Sequence, residues 1–279
     1  MAIPKIPLDR WIDQAVLWLE EHLGTFFNGI RILIEAIVHS FEWVLLGIPA
    51  LIIILLAALL AYRLVNWKIA LFTVLGLLLI LNLGYWDHTM MTLALVLTAA
   101  LISIILGIPI GILSASNMKF QNVITPVLDF MQTMPAFVYL LPAISFFSLG
   151  VAPGVISSVI FAIPPTIRLT TLGIRQVPSD LTEAADAFGS TPMQKLIKLE
   201  LPLAVPTIMA GVNQTIMLSL SMVVISSMIG AQGVGADVYR AVTQTKVGIG
   251  FEAGLAVVIL AIVLDRMTQS LMKTKKGRG

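Results

Sequence analysis

Residues 183–202 read EAADAFGSTPMQKLIKLELP. Five of these twenty residues are charged (Glu183, Asp186, Lys195, Lys198 and Glu200), whereas only 11% of the whole chain is charged. The stretch also carries its own start and stop signals. Asp180 is placed to cap a helix, with Glu183 three residues on to close a capping box. Gly189 supplies the left-handed conformation that ends a helix. Thr191, Pro192 and Gln194 then repeat the opening pattern as cap, first position and box partner. Leu201-Pro202 is expected to turn the chain away again. The pattern predicts two short helices standing in water, and they lie between the long apolar runs 154–177 and 203–230. A polar connector between two such runs belongs to a chain that crosses lipid repeatedly.

Composition agrees. The chain has 279 residues, 58% of them hydrophobic, with a mean hydropathy of +0.98. A soluble domain carries about 25% charged residues. A helix needs about 20 apolar residues to cross roughly 30 Å of hydrocarbon. Seven runs meet that need: 44–61, 67–84, 90–115, 123–149, 154–177, 203–230 and 250–271. They are continuous rather than alternating, which argues against barrel strands. Backbone groups in lipid must be paired within the segment, which leaves helices. The expected fold class is an all-α integral membrane protein with seven transmembrane helices. Cysteine is absent, which excludes disulfides, thiolate metal sites and cysteine nucleophiles. The net charge of +2 offers nothing to nucleic acid. The first long apolar run starts only near Val44, so no secretory leader is read and the chain is expected to be used uncut.

Lys and Arg set the orientation. One side receives Arg63, Lys68, Lys119, Arg168, Arg175, Lys195, Lys198, Arg266, Lys273, Lys275, Lys276 and Arg278, which is twelve of the 17. Lys5, Arg10, Arg31, Arg240 and Lys246, the other five, fall opposite. The richer side is expected to be cytoplasmic, with the C-terminus and loop 178–202 inside and the N-terminus outside. Within residues 1–43, Phe26, Phe27, Ile30, Leu33, Ile34, Ile37, Val38 and Phe41 recur at helical spacing, opposite Asn28, Arg31, Glu35, His39 and Glu42. Such a face predicts an amphipathic helix in the membrane interface. Leu8, Trp11, Ile12, Ala15, Trp18 and Leu19 suggest a second. The competing reading makes 25–42 an eighth span, at the cost of placing Arg31 and Glu35 near its centre.

The connector resembles the EAA signature of ABC importer permeases, in which EAA is followed by three residues, Gly, nine residues and Ile-x-Leu-Pro. Glu183, Ala184, Ala185, Gly189, Leu201 and Pro202 match, and Leu199 replaces the Ile. Longer strings narrow the likeness. TPVLDFMQTMPAFVYLLPAISFF at 125–147, FAIPPTIRLTTLGIRQVPSDL at 161–181, PTIMAGVNQTIMLSLSMVVISSMIG at 206–230 and AVVILAIVLDRMTQ at 256–269 are similar to glycine betaine/proline betaine permeases of osmoprotectant importers. The similarity runs from about Tyr85 to Gln269, and residues 1–84 match only in general character.

The resemblance implies a type I ABC importer permease-like core at 85–272 containing the coupling loop 178–202. Two accessory spans at 44–84 and an amphipathic tail at 1–43 precede it, and a basic cytoplasmic tail at 273–279 follows. It implies a multi-pass protein of the bacterial cell membrane. It also implies two ATP-binding subunits docked on the connector, a second copy of the chain completing the pathway, and a separate extracytoplasmic substrate-binding protein. Glu183 would contact the ATPase, Ala184 and Ala185 would allow close approach, and Gly189 would set the turn. No cofactor is called for.

Several residues within the spans have readings of their own. Pro135 and Pro142 in the fourth run, and Pro164-Pro165 in the fifth, each remove a helix hydrogen bond. Broken helices of this kind line cavities in transporters, and a static kink is the plainer alternative. Apart from Asp265 near the last cytoplasmic end, Asp129 is the one acid away from the ends of the runs, little more than a turn inside a span that starts near 123, and is open to two readings: a substrate contact or an ion pair with Arg168 or Arg175. The fourth run is rich in aromatics, and a quaternary ammonium is held by aromatic faces. Met134, Pro135, Phe137 and Tyr139 join Asp129 as pathway candidates, Tyr139 because its hydroxyl also needs a partner. Gly107 and Gly111 have the spacing of a close helix contact. Among competing functions, the chain has no Gly-x-x-x-x-Gly-Lys-Ser/Thr loop and is not itself read as an ATPase. An ion-coupled secondary transporter would leave the connector unexplained. An intramembrane enzyme finds no His-Glu-x-x-His, and His22, His39 and His88 are scattered.

Overall fold

The computed structural model describes residues 7–273, with side chains up to residue 270. Among these residues all regular structure is helical. The chain opens with α1 (Leu8–Gly47), a 40-residue helix, and turns by 101° into α2 (Ala50–Leu64). Pro49 causes the turn: it disfavours a helical residue before it, and Ile48 is extended. Then follow α3 (Trp67–Asn82), whose cap Asn66 accepts from Ile69 N at 3.0 Å, and α4 (Trp86–Ser116). Asn117 caps α5 (Met118–Thr133). A 3₁₀ turn at Ala136–Tyr139 leads to α6 (Leu140–Phe147), and then to α7 (Val151–Arg175). The connector holds α8 (Ser179–Ala187) and α9 (Pro192–Lys195). α10 (Leu201–Ser227), α11 (Val234–Thr243) and α12 (Val247–Lys273) complete the fold.

α7 lies at the centre, packed between α4 and α10. Small residues make this possible. A side chain at Gly107 would meet Thr166 Cγ2 at 2.8 Å, and one at Gly111 would meet Thr170 Cβ at 2.5 Å and the Ile167 carbonyl at 2.8 Å. The glycine pair is therefore the closest seam between α4 and α7, as its spacing predicts. Val96 and Ala100 of α4, Val212, Ile216 and Leu220 of α10 and Leu260 of α12 form a second apolar layer. α2 and α3 lean on α12 through Ile54, Leu77, Ile80 and Ile259.

The seven expected apolar runs fall largely on helix, but run 44–61 starts in the last turn of α1 and crosses the 101° turn at Ile48-Pro49, so only its part in α2 is one straight helix. Among the described residues, four helices are long and apolar enough to cross a membrane alone: Trp86–Ser116, Val151–Arg175, Pro192–Ser227 and Val247–Ser270. The bent pairs α1/α2 and α5/α6 each pass the same test together, and α3 is a shorter apolar helix.

Four local expectations need correction. Run 123–149 is not one span: α5 and α6 meet at 109°. Met134 and Pro135 are both extended there, because Pro135 forbids helix at the residue before it. Pro142 breaks nothing, since it occupies the first turn of α6, where its missing N–H has no role. Pro164-Pro165 also leaves α7 unbroken. The helix continues through both prolines in the middle of the bundle, where Thr215 Oγ1 of α10 also donates to the Ala162 carbonyl at 2.8 Å. The third correction concerns residues 8–42, which form one helix rather than two interfacial ones. Its Ile34 and Val38 are buried against Ala94, Leu95, Ala152 and Val155 of α4 and α7, so protein, not only the lipid interface, receives the apolar face. Phe27 stacks on Phe146 of α6 with ring centroids 4.5 Å apart. Arg31 and Glu35 pair with each other at 2.9 Å. The fourth correction lies in the connector, below. Lys5 and the basic tail beyond residue 273 lie outside the described residues.

Candidate functional site

The connector stands at the end of the bundle where α4, α7 and α10 meet. Arg175, the last residue of α7, anchors it. Its guanidinium donates to the Ser114 carbonyl at 3.0 Å and the Ala115 carbonyl at 3.2 Å, and bonds Gln121 of α5. One side chain thus closes the last turn of α4 and ties three helices together. The sequence offered Arg175 as a partner for Asp129; the fold uses it here instead.

The first connector helix does not start as expected. α8 begins at Ser179, and its cap position is Pro178, without a side-chain cap. The Asp180–Glu183 box is absent because Pro178 fixes the entry and draws both Ser179 and Asp180 into the helix. Asp180 instead lies in the first turn, where a negative charge suits the helix dipole. The stop is as predicted. Gly189 has φ +72, Gly189 N–H donates to the Asp186 carbonyl at 2.9 Å, and Ser190 N–H to the Ala185 carbonyl at 3.0 Å. The second start is also as predicted: Thr191 Oγ1 accepts from Gln194 N while Gln194 Oε1 accepts from Thr191 N at 2.9 Å. Lys195 Nζ reaches both carboxylate oxygens of Asp186 at 2.8 Å, holding α9 against α8. The Leu201-Pro202 turn does not occur. A π-helical stretch, Leu196–Glu200, carries α9 directly into α10, making one helix from Pro192 to Ser227. The wider turn accommodates Pro202 without a break.

Of the matched signature residues, Glu183, Ala184, Gly189 and Pro202 are exposed and Ala185, Leu199 and Leu201 half-buried. Beside them the connector presents apolar side chains to water: Leu181, Met193, Ile197 and above all Phe188, which is 90% exposed. The sequence reading missed these. The signal was available, since Phe188 sits one residue before a helix stop in an otherwise polar loop and has no core face to join.

The intramembrane candidates divide. Asp129 pairs with Arg168 of α7 at 2.5 Å. Tyr139 is only 6% exposed, and its hydroxyl donates to the Met131 carbonyl at 2.5 Å, tying the end of α5 across the break. Phe137 is exposed. Met134 and Tyr139, with Phe130, line a cavity of about 790 Å³ whose other wall is α1 at Ile12, Val16 and Leu17. At the opposite end of the bundle, His88 of α4 pairs with buried Asp237 of α11. Burial, then Glu252 and Asp237, push the nearby Tyr85 phenol above its ordinary range. Among the described residues no group of three or more acidic or His side chains could hold a metal ion.

Residues 107–275 match the family described as binding-protein-dependent transport system inner membrane component. The chain belongs to this family. It is 56% identical, over 99% of its length and 98% of the relative's, to the glycine betaine transport system permease protein OpuAB of Bacillus subtilis. It is 53% identical over 99% of both chains to the glycine betaine/carnitine transport permease protein GbuB of Listeria monocytogenes. The likeness to the glycine betaine/proline betaine permease protein ProW of Escherichia coli is 47% identity over 98% of this chain and 77% of that one. Among solved structures, a chain of the MetNI methionine ABC transporter in an inward facing conformation superposes with a TM-score of 0.59. It is 22% identical and covers 65% of this chain and 91% of that one, so the likeness is one of fold. This transport component is thus a multi-pass, all-helical membrane protein with a type I ABC permease-like core.

Proposed function

We propose that this chain is the permease subunit of an ATP-driven importer for glycine betaine or a related quaternary-ammonium compatible solute. The observation that carries the reading most is the near full-length likeness to permeases named for glycine betaine. A connector with two ends set by their own residues suits the task of receiving force from a separate ATPase. In this reading Glu183, Ala184, Ala185, Gly189, Leu199, Leu201 and Pro202 form the coupling surface. Phe188 and Met193 supply its apolar centre, since exposed apolar knobs in a polar rim fill pockets on a partner. Two ATPase subunits bind two copies of the chain, and an extracytoplasmic binding protein delivers the solute. The excess of Lys and Arg at the connector end supports a reading with that end in the cytoplasm and the N-terminus and α11 outside.

The continuous helix from Pro192 to Ser227 has a mechanical consequence. A push on α9 is delivered along α10 without a hinge, and α10 is packed on the central α7. Asp129, Met134, Pro135, Phe137 and Tyr139 surround the broken span and form the pathway region. Pro135 makes the break and Tyr139 holds it.

The test is uptake of labelled glycine betaine under salt stress by cells lacking their other betaine importers. Cells with this chain, its ATPase and its binding protein are expected to accumulate label, and omission of any one to abolish it. Accumulation without the ATPase would point to an ion-coupled transporter, and none with the full set would remove the substrate.

A further inference from the structure

The bundle places an ion pair where lipid would penalise it. Asp129 lies 11 residues from the start of α5, about 16 Å along that helix. Arg168 lies seven residues before the end of α7, roughly 10 Å from the connector end. Paired with each other, Asp129 still has 58% and Arg168 41% of its side-chain surface open. Gln132 of α5 and Gln214 of α10 are exposed as well.

Other polar groups within the spans behave differently. Thr166 and Thr215 are buried and bonded to each other at 2.7 Å. Asp265 is mostly covered and accepts from Asn213 at 3.0 Å and Gln269 at 2.7 Å. Those groups are satisfied inside the protein. The Asp129–Arg168 pair shares one hydrogen bond, Nη2 to Oδ1, which leaves Oδ2 and the remaining guanidinium donors open among the described residues. An open ionised pair at this depth belongs to a face that water or cargo visits, not lipid.

We propose that the Asp129–Arg168 pair is a transient site for a zwitterion, opening to take a betaine's carboxylate on Arg168 and its quaternary ammonium against Asp129. The proposal rests on the importer reading above. Guanidinium binds carboxylate in a two-pronged fashion, so the cargo's carboxylate is a direct competitor for the place Asp129 holds. A quaternary ammonium has no N–H and takes no directed hydrogen bond, and the displaced carboxylate serves it as a bare charge partner. The charges balance at every stage. The empty pair is neutral, and the pair with a zwitterion is neutral too, so loading adds no net charge to a region of low dielectric. Release is built in, because Asp129 returns to Arg168 as the cargo leaves, which keeps the site weak as a pathway requires. A cation without a carboxylate, such as choline, cannot displace Asp129 and would leave Arg168 paired.

The test uses the assembled complex of permease, ATPase and binding protein in lipid vesicles, with labelled glycine betaine uptake and ATP hydrolysis measured together. Asp129→Asn and Arg168→Gln are expected to lower uptake about tenfold or more in a complex that still assembles with its ATPase and binding protein. The decisive variant combines Asp129→Arg with Arg168→Asp, which rebuilds the pair with its charges exchanged. A site for the cargo stays inactive in uptake because the cation now lies on α5; a purely structural pair regains wild-type uptake, and that result would overturn the proposal. Arg168→Lys keeps the charge and loses the fork, and is expected to slow uptake at least about fivefold in an assembled complex. Wild-type rates in Arg168→Lys would also overturn it. A wild-type complex that imports no betaine would instead overturn the importer reading itself.

Discussion

At the scale of single residues, two glycines in this chain answer to different demands. Gly111 is needed for space: a methyl group there would press on Thr170 Cβ at 2.5 Å and on the Ile167 carbonyl at 2.8 Å. Gly111→Ala is expected to cost about 1–3 kcal/mol by overpacking and to lower the Tm of the purified protein. Gly189 is needed for conformation, since nothing lies within 4 Å of its missing side chain but its φ is +72. Gly189→Val would strain that turn by about 1–2 kcal/mol. Because the turn stands outside the bundle, the Tm should stay near wild type while copurification with the ATPase and solute uptake fall. Normal uptake in Gly189→Val would remove the connector from the coupling route.

At the scale of elements, α1 is the one whose role changed most between pattern and fold. Its amphipathic stripe is real, but Val38 at the centre of that stripe is 0% exposed and sits between α4 and α7. Trp43, five residues later on the same helix, is 80% exposed. Val38→Ala should therefore destabilise the protein by about 1–3 kcal/mol through lost burial and the cavity left behind. Trp43→Ala should leave the Tm unchanged in the same detergent, since it removes a side chain that touches little protein. A larger loss from Trp43→Ala would mean that α1 is held chiefly by what covers its outer face.

At the scale of the whole molecule, the arrangement makes a claim about sidedness. Connector and α11 lie at opposite ends of the bundle, and the proposed orientation, argued from the charge bias, has the connector inside. The chain has no cysteine, so a single introduced thiol is a clean reporter. In intact cells, Val242→Cys at the exposed end of α11 should react with a membrane-impermeant maleimide, and Ser190→Cys in the connector should react only after lysis. The reverse pattern would invert the orientation.

Much of this protein follows from residue chemistry that acts locally. The apolar runs, the stop at Gly189, the cap at Thr191 and the close seam at Gly107 and Gly111 were all legible, because each depends on neighbours within one turn or on the solvent around a run. The break at Pro135 was half legible: proline forbids the preceding helical residue, but the 109° it opens is decided by where α6 finds α1 and α7 to pack on. Pro142, Pro164 and Pro165 show the limit from the other side. A proline at a helix start loses no needed hydrogen bond, and α7 stays helical through Pro164 and Pro165 where α4 and α10 pack on it; sequence spacing does not reveal either. The same holds for Arg168 and Arg175, two cations about two turns apart on the same face of α7. Local chemistry made both candidates for Asp129; only the packing of α5 across α7 gave Arg168 to the carboxylate and Arg175 to the carbonyls of α4. Interactions within a turn belong to the sequence, whereas a choice among distant partners depends on which helices meet, and that is settled by the tertiary structure alone.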